Sequence, residues 1–126
     1  MLIRRLRELT YMTAGDGTVL AEWLHPDREG LPPRTLGCSL AHAILPPGAA
    51  STPHILDTSA EVYVVLTGQG RLHLDQDTAD LEAGDAAFIP AGSVQWVENI
   101  GGDPFSFIAL VSPPWREDDE LVLDSE

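Results

Sequence analysis

The chain has 126 residues, 44% of them hydrophobic and 21% charged, which is an ordinary composition for one globular domain. Its net charge of −13, from 20 acidic and 7 basic side chains, argues against nucleic acid or an anionic membrane as a partner, because phosphate binding needs clustered Lys and Arg. A single cysteine, Cys38, excludes an intrachain disulfide, and the sequence has neither a membrane-length apolar run nor a signal peptide. By default we expect a cytoplasmic protein.

Short apolar segments separated by turn signals follow one another along the chain. Residues 1–9 are compatible with a short edge strand or a helical turn. Gly68-Gln69-Gly70 predicts a tight hairpin, and Pro113-Pro114 ends the last strand. The acidic tail beyond Trp115 is either partly disordered or docked through Trp115, Leu121 and Leu123, and it is predicted to be dispensable for folding beyond these few apolar contacts. Strands are predicted over residues 19–24, 38–45, 61–66, 71–75, 79–81, 86–89, 94–98 and 105–111.

This pattern of short strands, with no helix-period segment among them, is typical of an all-β sandwich or barrel. A jelly roll of two antiparallel sheets fits the number of strands. In the strand that begins at Glu61, both faces are largely apolar, so we expect it to be buried on both sides. A carboxylate there needs a partner, because an unpaired buried charge is costly. His54 is the nearest candidate, either directly or through a shared metal ion.

Two glycine-bounded motifs resemble those of the cupin superfamily. Gly48, His54, Glu61 and Gly68 fall at the spacings of the first cupin motif, and Gly84, Pro90, Gly92 and Asn99 fall at those of the second. Leu56 and Gln95 stand where the family has two further histidines. The resemblance covers about residues 35–112, which leaves N-terminal strands in residues 1–34 and an acidic tail in residues 113–126 of one domain, 1–126.

The resemblance implies a cupin-type double-stranded β-helix with an interior pocket and a divalent metal ion, typically iron, manganese, nickel or zinc. Carried over residue by residue, His54, Glu61 and Gln95 occupy three of the four metal-ligand positions, and Leu56 offers no donor. The amide of Gln95 is a poor donor to a transition metal. In a metal-free alternative, His54, Glu61 and Gln95 form a buried hydrogen-bonded triad, since Gln95 can both donate and accept.

Two hypotheses for function follow from this scaffold. In the first, the protein is a divalent-metal-dependent enzyme acting on a small molecule, with Glu61 and Tyr63 as candidate catalytic residues. In the second, it is a non-catalytic module that binds a small molecule in a degenerate, metal-free site. Both predict a homodimer, because one face of a small jelly roll with apolar positions on both sides needs a cover. Secondary candidates are His25, His42, His73 and Asn99, for which structural roles are at least as well supported.

Overall fold

The computed structural model describes residues 1–123, so residues 124–126 of the acidic tail lie outside the described part. Two antiparallel sheets form the molecule, with strand orders β1-β2-β3-β10-β5-β8 and β11-β4-β9-β6-β7. The predicted all-β jelly roll is therefore confirmed. The strands are β1 (Met12–Thr13), β2 (Val19–Leu24), β3 (Ser39–Leu45), β4 (His54–Leu56), β5 (Ala60–Thr67), β6 (Gln69–Leu74), β7 (Asp77–Glu82), β8 (Ala86–Ile89), β9 (Gln95–Asn99), β10 (Phe105–Ser112) and β11 (Glu120–Val122).

The inward side chains become smaller along the central strand pair, β3 and β10. At one end, Phe105 lies opposite Leu45, and both are fully buried in the hydrophobic core. Two rungs further on, Phe107 lies opposite Ala43, and then Ala109 lies opposite Ala41. Because alanine fills far less of the interior than phenylalanine or leucine, the barrel is packed at one end and hollow at the other.

The predicted hairpin at Gly68-Gln69-Gly70 is wrong. Strand β5 belongs to the six-stranded sheet and β6 to the five-stranded one, so the chain crosses between sheets at Gly68. Gly68 and Gly70 must be glycines because other parts of the chain approach their backbone closely. A Cβ on Gly68 would lie 2.5 Å from the Pro104 carbonyl oxygen, and one on Gly70 would lie 2.5 Å from the Phe105 ring. The true hairpin joins β6 to β7, where Leu74 pairs with Asp77 across a two-residue loop.

The tail after Trp115 is docked as far as residue 123, which argues against the prediction that it is dispensable for folding. Strand β11 pairs with β4, and Val122 lies opposite His54. The buried carboxylate of Asp119 accepts hydrogen bonds from the backbone and hydroxyl of Thr58, at 2.8 and 2.6 Å, and from the backbone of Ser59, at 3.1 Å. Acidic composition had suggested a solvated tail, but here one acid satisfies donors of the β4–β5 loop.

The outer face of the six-stranded sheet carries a continuous apolar row, contrary to the expectation that β5 is fully buried. The row crosses five strands through directly paired residues, and Phe88 at its edge is 65% exposed. Residues 1–11 cover part of this face, where Tyr11 bonds His42 and Trp23 bonds the Arg4 carbonyl. The members of the row are Phe88, Val62, Leu110, Leu40 and Leu24.

Residues 1–123 contain only two short 3₁₀ turns besides the strands, at Leu6–Glu8 and Glu117–Asp119. Neither is long or apolar enough to cross a membrane.

Candidate functional site

A cavity of about 800 Å³ occupies the hollow end of the barrel. Its floor is made by the small inward residues of the six-stranded sheet, among them Ala41, Ala43 and Ala109, together with Phe107. Its walls come from the segment around Asp16, from β4 and from the docked tail strand β11. The cavity exists because the floor residues are small, and it is the size of a typical small-molecule site.

Tyr63, Gln95 and Glu61 form a buried polar network at the wall of this cavity. The Tyr63 hydroxyl donates a 2.6 Å hydrogen bond to Oε1 of Gln95, which is 1% exposed. Glu61 and Tyr63 line the cavity two residues apart on β5, so they face the same side. Burial alternates along β9, so that Gln95 faces the interior and Trp96 faces the opposite side.

The Glu61 carboxyl is poised to be neutral at physiological pH. Burial raises its pKa to about 8, and the negative charges of Asp16 and Glu120 add to that rise. A hydrogen bond from the Gln95 side chain lowers the pKa but offsets only part of the effect. Burial likewise raises the pKa of the Tyr63 hydroxyl well above its usual range. Both groups are therefore hydrogen-bond donors at pH 7.

His54 presents a free ring nitrogen to the cavity. Its Nδ1 lies 2.8 Å from the carbonyl oxygen of Thr52, and a carbonyl can only accept, so Nδ1 carries the proton. In the neutral ring, Nε2 then holds a lone pair, and no group within residues 1–123 hydrogen-bonds to it. The carboxylate of Asp16 lies 3.7 Å from Nδ1 and holds the ring from the same side.

The donor set fits a tightly bound transition metal poorly. The Oε1 of Gln95, its one possible ligand atom, is already engaged by Tyr63. Leu56 is buried and lines the cavity, as expected from its motif position, but its side chain has no donor atom. Among residues 1–123, no three side chains of His, Cys, Asp or Glu lie close enough to hold a metal ion. Of the motif positions, one imidazole and one carboxyl remain, short of the four ligands that structural metal sites use.

Two carboxylates of the site, Asp16 and Glu120, were not singled out from the sequence. Asp16-Gly17 is a typical turn dipeptide, and Asp16 accepts a 3.0 Å hydrogen bond from the backbone of Thr18. Glu120 lies in the acidic tail. The apolar run at residues 121–123 shows no alternation, and only the pairing with β4 reveals that Glu120 faces the cavity.

The secondary candidates have structural roles. The Nδ2 of Asn99 donates to the carbonyls of Leu45 and Asp103, which fixes the turn after β9. His42 lies on the outer face, bonded to Tyr11. His73, expected to be exposed, is half-buried: it stacks on Trp96 at 3.7 Å and bonds Glu98 at 2.9 Å. His25 lines the cavity mouth, where its Nε2 bonds the Trp115 carbonyl at 2.8 Å.

Comparison with known proteins places this geometry in context. The family described as Cupin domain matches residues 41–111. An uncharacterized protein of Methanocaldococcus jannaschii is 34% identical over 109 residues, which cover 86% of this chain and 84% of the relative. The oxalate-binding protein of Thermotoga maritima is 31% identical over 67 residues, covering 53% of this chain and 55% of that protein.

Solved structures share the fold at lower sequence identity. The crystal structure of a predicted oxalate decarboxylase from Thermotoga maritima has a TM-score of 0.76 at 23% identity, covering 89% of this chain and 99% of that one. The structure of KdgF from Halomonas sp. has a TM-score of 0.75 at 20% identity, covering 93% and 98%. At these identities the likeness establishes the double-stranded β-helix and nothing about the ligand.

Proposed function

Because the chain belongs to the cupin domain family, we propose that it binds a small organic molecule in the interior cavity. The observation that carries this proposal is the Tyr63–Gln95–Glu61 network at the wall of a cavity of about 800 Å³. Ligand sites combine an apolar enclosure with a few fixed polar groups, and this cavity has both. The network fixes Tyr63 and Glu61 on one face of β5, where both line the cavity.

Glu61 supplies the chemistry of the site. With its pKa raised to about 8, its carboxyl is mostly protonated at pH 7 and can donate a hydrogen bond to the ligand. Should the bound molecule react, the same proton makes Glu61 the general acid, with Tyr63 orienting the reacting group. Binding requires only the first of these roles, so a binding module is the function that the geometry supports best.

A metal-dependent enzyme is the second candidate, and the free Nε2 of His54 is the observation that favours it. The engaged Gln95 and the apolar Leu56 count against it. Elemental analysis of untagged protein separates the two candidates. About one transition metal ion per chain would favour the enzyme, and a metal content far below one in folded protein would favour the metal-free module.

Blocking the cavity tests the proposed function. Ala109→Trp directs a large side chain into the hollow end, whereas Ala79→Trp adds the same side chain to the exposed face of β7 and serves as a control. After equilibrium dialysis against a metabolite mixture, native mass spectrometry should detect a bound small molecule on the wild type and on Ala79→Trp. Ala109→Trp, shown to be folded by its thermal transition, should carry none. Retention by Ala109→Trp, or no ligand on any of the three, contradicts the proposal.

We also propose that the protein is a homodimer. The support is the apolar row on the outer face of the six-stranded sheet, with Phe88 65% exposed at its edge. A second copy of the same row is the simplest complementary cover, since a twofold interface is self-complementary. The cytoplasmic location stays a prediction.

A further inference from the structure

We infer that the ligand of this cavity is an organic cation, an amine joined to an apolar body, held by Asp16 and Glu120. This inference deepens the proposed function and rests on it. The chemistry of the unoccupied hydrogen-bonding groups, the charge of the cavity and the apolar floor each support it.

The polar groups with spare capacity at this wall are mainly acceptors. Asp16 holds one carboxylate oxygen 3.7 Å from the imidazole of His54. Glu120 accepts a 3.2 Å hydrogen bond from the Trp115 indole through Oε1, which leaves Oε2 without a partner among residues 1–123. A protonated amine carries donors and no acceptor, which matches these two carboxylates.

Asp16 and Glu120 come from neighbouring segments of the same wall. Val122 pairs with His54 and Glu120 pairs with Leu56, so Glu120 and His54 project from neighbouring strands on the same face. A Cβ placed on Gly15 would lie 3.9 Å from Oε2 of Glu120, which brings the segment that carries Asp16 against β11. The charges of both Asp16 and Glu120 act on Glu61, as expected if all of them surround one space.

The charges of the cavity are unbalanced. Six acidic side chains and two arginines line it. Of the arginines, Arg116 pairs with Asp118 at 3.1 Å, outside the cavity lining. Glu61 is largely protonated at pH 7 and adds little charge. Within the described part of the chain, Asp16 and Glu120 form no ion pair with Lys or Arg, and Asp16 lies 3.7 Å from the imidazole of His54. A cationic ligand would supply the missing countercharge, whereas a carboxylate or dicarboxylate would meet repulsion of the kind that excludes wrong partners.

An unsatisfied hydroxyl beside Asp16 independently indicates a polar ligand. Thr18 lines the cavity and is 3% exposed, and its Oγ1 is the buried side-chain atom of residues 1–123 that has no hydrogen-bond partner. Native proteins rarely leave such a group unpaired, because its desolvation is not repaid. Rotation of the Thr18 side chain toward a bound amine next to Asp16 would give this hydroxyl a donor to accept from.

The rest of the ligand is apolar. The floor opposite the acidic wall consists of Ala41, Ala43, Ala109 and Val111 with the Phe107 ring, and it offers no hydrogen bond from a side chain. An aryl or alkyl body of modest size fits this surface, and its burial adds affinity in proportion to the apolar area removed from water.

Three probes of matched shape test the inference by isothermal titration calorimetry in the presence of EDTA: 2-phenylethylamine, 2-phenylethanol and 3-phenylpropanoate. We expect the amine to bind at least about tenfold more tightly than the alcohol, a difference of about 1.4 kcal/mol, and the carboxylate to bind most weakly. Asp16→Asn and Glu120→Gln should each weaken amine binding about tenfold and leave the alcohol unchanged. Asp77→Asn, the same charge change on the exposed β7 strand, should have no effect.

The outcomes separate this inference from the proposed function. If the carboxylate binds as tightly as the amine, or if Asp16→Asn and Glu120→Gln leave amine binding intact, the cavity binds small molecules but the cation assignment is overturned. If no probe binds at millimolar concentration, the ligand captured in the metabolite dialysis decides: an anion overturns the assignment and an amine upholds it. If the dialysis also captures nothing, both the assignment and the proposed function fall.

Discussion

The hydroxyl of Tyr63, on the six-stranded sheet, donates a 2.6 Å hydrogen bond to the amide oxygen of Gln95, on the five-stranded sheet. The bond spans the interior and joins the two sheets beside the cavity. Removing one partner leaves the other buried and unsatisfied, and that penalty exceeds the net value of the bond itself.

Tyr63→Phe should therefore lower the free energy of unfolding by about 1–3 kcal/mol. Tyr11→Phe is the matched control, because it removes a hydroxyl that bonds His42 at 2.6 Å on the partly exposed outer face, where water can replace it. We expect a smaller loss for the control, measured by urea unfolding. Equal losses for the two variants would show that the interior hydrogen bond contributes no more to the free energy of unfolding than the one on the outer face.

The raised pKa of Glu61 predicts a pH dependence of stability. Burial moves the pKa from 4.5 in the unfolded chain to about 8 in the folded protein, so between these values the native state binds a proton that the unfolded state has released. The free energy of unfolding should fall as the pH rises from 4.5 to 8, by at most about 1.4 kcal/mol per pH unit. Urea unfolding of EDTA-treated protein across this range measures the slope.

Glu61→Gln is the decisive variant, because its amide does not titrate. The slope between pH 4.5 and 8 should largely disappear in Glu61→Gln and persist in Asp77→Asn, which changes an exposed acid. An unchanged slope in Glu61→Gln would mean that another group controls it.

Because the tail is docked, we expect the carboxylate of Asp119 to stabilise the fold and that of Asp118 to contribute almost nothing to stability. Burial alone would raise the pKa of Asp119, but hydrogen bonds from Thr58 and Ser59 outweigh it and hold the pKa below its usual range. Asp119→Asn removes the charge and one acceptor and should cost about 1–3 kcal/mol at pH 7. Asp118→Asn, on an 82% exposed side chain, should cost almost nothing. Thermal unfolding that gives the two variants the same stability would contradict the docking.

Two added histidines should convert the site into a metal site. Leu56 and His54 share one face of β4, and Gln95 pairs with His54 across the strands, so Leu56→His with Gln95→His would gather three imidazoles and Glu61. Competition titration with nickel should show at least about a hundredfold tighter binding than in the wild type. Ile55→His with Gln95→His is the control, because Ile55 lies on the opposite face of β4. Equal affinities for the two double variants would mean that the interior geometry does not suit a metal.

The proposed dimer is tested at Phe88. Phe88→Glu places a charge at the exposed edge of the apolar row and should shift the protein from dimer to monomer in sedimentation velocity. Leu121→Glu is the control, since Leu121 is similarly exposed, at 59%, on the tail strand of the other sheet. A wild type that sediments as a monomer at tens of micromolar rules out the dimer.

Alternation and motif spacing predicted most strands and the positions of His54, Glu61 and Gln95, because both depend on local periodicity. Strand β4 has three residues and β11 has three, too few for a period to be recognised, and each is stabilised by pairing with a distant segment. For the same reason, the sequence does not predict that Glu120 faces the cavity. Gly68 was misinterpreted because glycine serves equally for a turn and for close backbone approach, and only Pro104 and Phe105, far along the chain, decide between the two.

The taper along β3 and β10 has a consequence for how this scaffold diversifies. Ala43 and Ala109, which set the room available, lie on strands that carry none of the charged groups of the site. Those groups come from β4, β5, β11 and the segment around Asp16. A lineage can therefore exchange an alanine for valine or leucine and admit a shorter molecule while its headgroup preference is inherited intact, or change Glu120 and keep the molecular size. Dimension and polarity are separate heritable traits of this barrel, and selection can act on each alone.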